Sequence, residues 1–259
     1  MTVRFDVEKS TEREPNRAKV ELCNLTPDVR EQLEQAAEPQ IELEAGYKDL
    51  IDVIFAGDVR SVHSRRSGPD IWTVIDSEDG GRAYRTARIS RGWDAGVSLS
   101  TVIAACADAM GVGRGNSASV AAAAELESGG AVFPDGITLD SPARQALDRV
   151  CRSAGLRASV QNGVILLQRG RHATGETAIV LSSGSGLVGS PTRGSQDARS
   201  GVPVYSARAL LNPGLYPGRS IRLETDTVTG DYTCSRVRYR GETTGSQWHA
   251  EIELEEVDS

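Results

Sequence analysis

The chain has 259 residues, 39% hydrophobic and 25% charged, the balance of a folded globular protein rather than a disordered one. At roughly 100–200 residues per domain there is room for two or three small domains, and 27 glycines against 5% aromatics suit modest cores joined by many turns. The net charge of -7 speaks against sequence-specific or phosphate-driven nucleic-acid binding, and no apolar run approaches the roughly 18–20 residues of a membrane span.

The first residues, Met1-Thr2-Val3-Arg4-Phe5-Asp6, are charged at once and lack the apolar centre of a signal peptide, so the expectation is folding in a cytosol. Ala18-Lys19-Val20-Glu21-Leu22-Cys23 then alternates apolar and polar side chains as a half-buried strand does. A short helix follows: Thr26 reads as N-cap and Pro27 as the first helical residue. Val29, Leu33 and Ala36 share one face of it, and Pro39 closes it. It reads as a lid over one end of the β-structure. Ile41-Glu42-Leu43-Glu44-Ala45 and Ile51-Asp52-Val53-Ile54-Phe55 repeat the alternation, and Ile71-Trp72-Thr73-Val74-Ile75, apolar on both sides, reads as an inner strand. Short strands punctuated by Gly, Pro and Asp suggest a small barrel or sandwich.

The middle changes character. Leu99 to Met110 predicts a helix with Val102, Ile103, Cys106 and Met110 on one side and Gly111 as its stop. Ser141-Pro142 opens a second, carrying Ala146, Leu147, Val150 and Cys151 inward. The Cys-containing ends of the two helices echo each other, which suggests a repeated helix-plus-strand unit. Residues 157–161 and 164–168, joined by Asn162-Gly163, predict a hairpin. Beyond Gly170 the chain returns to strands: 178–181, 202–205, 220–224, 231–239 and 248–257, with residues 184–201 expected as a flexible surface loop. In the last strand Trp248, Ala250, Ile252 and Leu254 face inward and His249, Glu251, Glu253 and Glu255 outward. The fold class expected is mainly β with an α+β insertion: two small barrel-like modules, 1–92 and 173–259, flanking a small α/β domain, 93–172.

Reactive constellations are weak. Gly184-Ser-Gly-Leu-Val-Gly189 fits a dinucleotide loop, but Pro191 and Gly194 stand where the required helix would begin. His63, His172 and His249 share no ligand spacing and read as surface or rim histidines. No G-x-S-x-G elbow occurs, and Asp76, Glu78 and Asp79 sit before Gly80-Gly81 in what reads as a solvated turn. Arg65-Arg66 and the run Arg236, Arg238 and Arg240 read as solvated strand faces, with a phosphate-contacting patch as the alternative. Hence no catalytic, cofactor or metal residues are assigned. Cys23 falls on the face of Lys19 and Glu21, and Cys234 lies in a terminal strand. Both are expected to be exposed and are candidates for disulfides between subunits in an oxidising medium, against the default of reduced thiols.

Pro15-Asn16, the strand to Cys23, Asn24-Leu25-Thr26 and the capped helix together resemble the N-terminal region of baseplate or tail hub proteins of tailed bacteriophages. Gly46 within Ala-Gly-Tyr and Gly57 after Ile54-Phe55-Ala56 resemble the strands that follow there. Pro217-Gly218, Gly230-Asp231-Tyr232, Gly241 and Trp248 are similar to the family's last barrel. The resemblance implies a structural, non-enzymatic virion protein assembled in the host cytoplasm. In contractile-tail members such hubs form trimeric rings whose paired barrels give a pseudo-sixfold surface. The implied partners are further copies of itself as a homotrimer, the tail tube or a tube-initiator protein, the central spike, and the tape-measure protein. The competing readings are a cell-wall glycan-binding tail module, for which only Trp72, Trp93 and Trp248 are available, and a wall-degrading enzyme.

Overall fold

The computed structural model describes residues 1–12, 14–81, 86–129, 132–170, 177–194 and 204–257. The N-terminal part contains β1 (Val3–Ser10), β2 (Arg17–Cys23), α1 (Pro27–Gln35), β3 (Gln40–Ala45), β4 (Asp52–Ser67) and β5 (Asp70–Glu78). The middle contains β6 (Arg88–Trp93), α2 (Leu99–Met110), α3 (Ser117–Glu127), β7 (Ile137–Pro142), α4 (Ala143–Ser153), β8 (Leu156–Gln161) and β9 (Val164–Arg169). The C-terminal part contains β10 (Ile179–Ser182), β11 (Leu187–Arg193), β12 (Val204–Leu210), β13 (Ser220–Glu224), β14 (Thr229–Glu242) and β15 (Trp248–Glu256).

The two ends of the chain do not make two separate barrels. They share one mostly antiparallel sheet of eleven strands, in the order β11-β12-β15-β14-β1-β2-β5-β4-β3, with β13 and β10 branching from β14. The strand that fuses them is β1, which pairs with β2 on one side and β14 on the other. Sequence reading assigns no element there, although Phe5 and Val7 alternate with Asp6 and Glu8 as a half-buried strand requires. Among the described residues no strand pairing closes the sheet, yet it rolls far enough for the Trp248 indole to donate to the Gly46 carbonyl at 3.2 Å. The concave side holds one core drawn from both ends, including Phe5, Val7, Val20, Phe55, Ile75, Val237, Tyr239, Ile252 and Leu254. α1 forms where expected but buries no residue, and Val29 stays exposed, so it covers little of that core.

The middle segment has its own core, from α2, α3, α4 and the two hairpins β6-β7 and β8-β9. α2 ends at Gly111 in the left-handed conformation (φ 66°), as its sequence requires. α2 is followed by α3 rather than by a strand, so the echo between α2 and α4 does not extend to a repeated unit. α3 goes unread in the sequence because it buries only Ser117, Ala121 and Ala124, too small to give an amphipathic signal. The β8-β9 hairpin turns on Asn162 and Gly163, both at positive φ (51° and 72°), the geometry that favours Asn-Gly.

Part of the expected surface loop is ordered: residues 187–193 form β11 against β12, with Leu187 and Pro191 turned inward. Pro191 falls in the irregular stretch between Val188 and Thr192, where an edge strand tolerates a residue without N–H. Gly184–189 therefore leads into a strand, leaving no helix terminus for a pyrophosphate. The remainder of that expected loop, residues 195–201, and His172 lie outside the described residues.

Candidate functional site

The most developed polar cluster sits where the middle segment meets the sheet. Lys9 extends the inward row of Phe5 and Val7 at the end of β1 and is 3% exposed. Asn16 precedes β2 and Asp79 follows β5; both are buried, Asp79 to 1%. Into the socket these three form comes the tip of the β8-β9 hairpin. The backbone N–H groups of Asn162 and Gly163 donate to the Asp79 carboxylate, the latter at 2.8 Å. Lys9 Nζ donates to Asn162 Oδ1 at 2.8 Å and to the Ile54 carbonyl at 3.3 Å. Asn16 Nδ2 lies 3.1 Å from Asp79, 3.0 Å from the Val160 carbonyl and 3.0 Å from Gln161 Oε1. Gln161 in turn donates to the Ser10 carbonyl at 2.9 Å.

Burial disfavours both charges. It lowers Lys9 to about 8, partly countered by the attraction of Asp79. It also raises Asp79 above the ordinary carboxylate range against the hydrogen bonds and Lys9 that pull it down. The expectation that Asp79 is solvated is thus corrected: it is buried beneath the tip of the β8-β9 hairpin. Asn16 is one of the residues that carry the family resemblance. Lys9 and Gln161 carry no signal of their own and Asn162 only that of a turn, because their partners lie as far as 153 residues away.

The opposite, convex face of the sheet is a charge lattice. Arg208, Glu251, Arg238, Glu8, Arg17 and Glu78 stand directly opposite one another across six adjacent strands, alternating in sign at each step. The next row, Arg240, Asp6, Lys19 and Asp76, does the same. Arg238 grips Asp6 with two hydrogen bonds of 2.7 and 2.6 Å, and Arg236 lies 2.9 Å from Glu8. The three arginines of β14 are therefore paired within the sheet, as Arg65 is with Glu21, which speaks against a phosphate-contacting patch at these positions. A shallow concavity of about 600 Å³ lies over this lattice, between Arg208, Arg236, Arg238 and Glu253.

The residues singled out by resemblance do not gather at one point. Asn24, at positive φ, turns β2 into α1 and bonds both Asp70 and the Ile71 N–H, with Leu25 half-buried beside it. Pro15 leads into Asn16. A Cβ on Gly46 would lie 2.0 Å from the Leu50 carbonyl oxygen, and one on Gly241 would lie 2.2 Å from the Phe5 ring. Both glycines mark seams of the roll where the backbone or a ring occupies the side-chain space. Gly57 packs against the Glu78 backbone, and Gly230 against the Tyr232 ring. Pro217 and Gly218 form the turn in which the Gly218 N–H bonds the Cys234 carbonyl. Tyr232 packs edge-on against Tyr205, and Trp248 against Phe5.

The cysteine expectation is corrected. Cys23 is buried opposite Trp72, whose ring is covered by the Arg4 guanidinium at 4.2 Å, and Cys234 is fully enclosed in the main core. The exposure on which intersubunit disulfides depended is not there. Burial pushes the Cys234 thiol far up, only partly offset by a backbone hydrogen bond at Arg236.

A family model described as "Baseplate hub gp41" matches residues 1–249. The chain belongs to that baseplate hub family. The hub protein is thus a structural component of a phage tail baseplate. Its fold recurs in the tail protein from Neisseria meningitidis MC58, with a TM-score of 0.65 at 9% identity over 98% of this chain and 91% of that one. It recurs as well in the 43 kDa tail protein of prophage MuSo2 from Shewanella oneidensis (0.60, 10% identity, 97% and 92% covered). A third is the E. coli c3393 protein, a type VI secretion component described as similar to T4 tail proteins gp27 and gp5 (0.62, 8%, 100% and 74%). No curated protein sequence matches.

The hub protein's three tryptophans are all engaged in packing rather than offered as a platform: Trp72 under Arg4, Trp93 within 5.1 Å of the Arg91 guanidinium, Trp248 against Phe5. Its exposed large apolar side chains include Tyr47, Leu50 and Ile51 on the turn between β3 and β4, a turn held to the sheet by the Tyr47 hydroxyl, which donates to the Trp248 carbonyl at 3.1 Å. Among the described residues no helix is long and apolar enough to cross a membrane.

Proposed function

We propose that this hub protein closes into a ring of three copies that joins the tail tube, or a tube-initiator protein, to the central spike. The observation that carries the reading is the single sheet built from both chain ends, which among the described residues leaves β3 and β11 as the ends of its main path in each copy. Open edges are satisfied when identical copies meet head to tail, and a rotation that closes gives a ring. The apolar Leu50 and Ile51 near one edge and Val188 on the other suit such contacts. Two β-lobes per copy, β1–β5 and β10–β15, would present six similar positions per trimer to a sixfold tube, with the segment from β6 to β9 as the intervening domain, so that the boundary expected at residue 92 moves to before β6. The reading assigns no reaction: the buried Lys9 and Asp79 are occupied in holding the hairpin. Virion assembly would take place in the host cytoplasm, with the tape-measure protein as a further neighbour.

Sedimentation velocity at micromolar concentration tests the ring, with an expected mass three times the 27.6 kDa of the chain. A map of the virion tail tests its place. A persistent monomer missing from purified virions would end the proposal.

A further inference from the structure

We propose that the hairpin tip at residues 161–163 and its socket form a latch, through which the middle module releases from the sheet as one body while both cores stay folded. Three observations support it. The two hydrophobic clusters share no residue, so each body keeps its own core when they part. The chain passes between them in two connections, one between β5 and β6 and one between β9 and β10. The hairpin tip, moreover, is held by hydrogen bonds to buried charges rather than by side chains inserted into an apolar pocket.

Hydrogen bonds to buried charges fix orientation well and contribute modest net stability, because the charges have lost their water. Opening returns Lys9 and Asp79 to solvent, and that rehydration offsets part of the lost hydrogen bonding. Release is therefore far easier than unfolding, which must expose a whole core. The geometry also gives the latch a direction in pH. Lys9 meets the hairpin from β1, and Asp79 meets it from the end of β5, while the hairpin itself brings only the neutral Gln161 and Asn162. Glu42, Asp58 and Asp108 line the groove of about 720 Å³ beside Asp79. Protonated Lys9 gains most from rehydration, so its contribution tightens the latch as pH rises from about 8 and the proton is lost, while Asp79, raised by burial, acts in the opposite sense at lower pH.

The test uses the full chain carrying spin labels at Ala122→Cys on α3 and Asp226→Cys beside β13, both exposed, with the four native cysteines buried. Asp79→Asn removes the charged acceptor of two N–H groups. Asn162→Gly deletes the side chain that Lys9 holds, keeps the positive-φ turn and leaves both cores untouched, so it folds even if the first variant does not. The expected result is a second, longer label separation at pH 7, populated at least tenfold more in either variant than in the parent. Amide exchange in α2, α4, β14 and β15 should stay unchanged. One unaltered distance in Asn162→Gly would overturn the latch, and so would loss of protection in both cores together, which would make the junction part of a single folding unit.

Discussion

Lys9→Met should change how the protein's stability depends on pH, by an amount the structure sets. In the native chain burial holds Lys9 at about 8 against 10.5 for a free lysine. The unfolded chain therefore binds more protons than the native one between those values, and native stability rises with pH across that window. The stability Lys9 contributes is complete above 10.5 and is lost as pH falls through about 8. From pH 7 to pH 9 the gain works out at about 1.4 kcal/mol. Buried thiols act in the opposite sense: burial raises Cys106 to about 11 and Cys151 to about 12. At pH 9 each of them costs about 0.4 kcal/mol, as its unfolded counterpart begins to ionise. The absolute stability thus hides the lysine, and the difference between parent and variant isolates it. Urea melts of both proteins at pH 7 and pH 9 should show the parent gaining about 1.4 kcal/mol on Lys9→Met. A difference that stays constant, or moves the other way, would mean that the Lys9 ammonium is not desolvated and the socket is wet.

The remaining expectations concern the sheet. Gly241→Ala drives a methyl into the Phe5 ring at 2.2 Å and should cost about 1–3 kcal/mol, read as a lower melting temperature. Tyr239→Phe removes a hydroxyl that donates to the Leu215 carbonyl at 2.6 Å in the buried core and should cost about 1–2 kcal/mol in urea. Asp6→Asn breaks the two-pronged bond to Arg238, but both groups are more than a third exposed, so the loss should stay below about 1 kcal/mol and shrink in molar salt. A thiol reagent should leave all four cysteines unmodified in the native protein and label them only in denaturant; rapid native labelling of Cys23 would reopen the case for a disulfide between copies.

Periodicity made some elements plain. α2 and α4 repeat apolar residues at helical spacing, β15 alternates without a break, and Asn162-Gly163 announces its turn. α3 was hidden by its small side chains, and β11 by the glycine and proline that its edge position tolerates. The socket was illegible for a different reason. Asp79 beside two glycines has the local sequence of a solvated turn, and only the arrival of a hairpin 83 residues on excludes the water. Cys23 was misjudged similarly: alternation places it on the polar face, but Trp72 and Arg4 from neighbouring strands cover that face.

From the amino-acid sequence alone came the β-rich character, the helical middle, the paired Asn-Gly hairpin and the resemblance to phage hubs, all of which rest on local patterns of polarity and turn chemistry. Tertiary structure alone decided that both chain ends build one sheet, that opposite charges on neighbouring strands cancel across its outer face, and that a lysine and an aspartate are buried around a loop. Each of those depends on which strands become neighbours, and strand pairing is set by the fit of surfaces far apart along the chain, which no short window of residues can express.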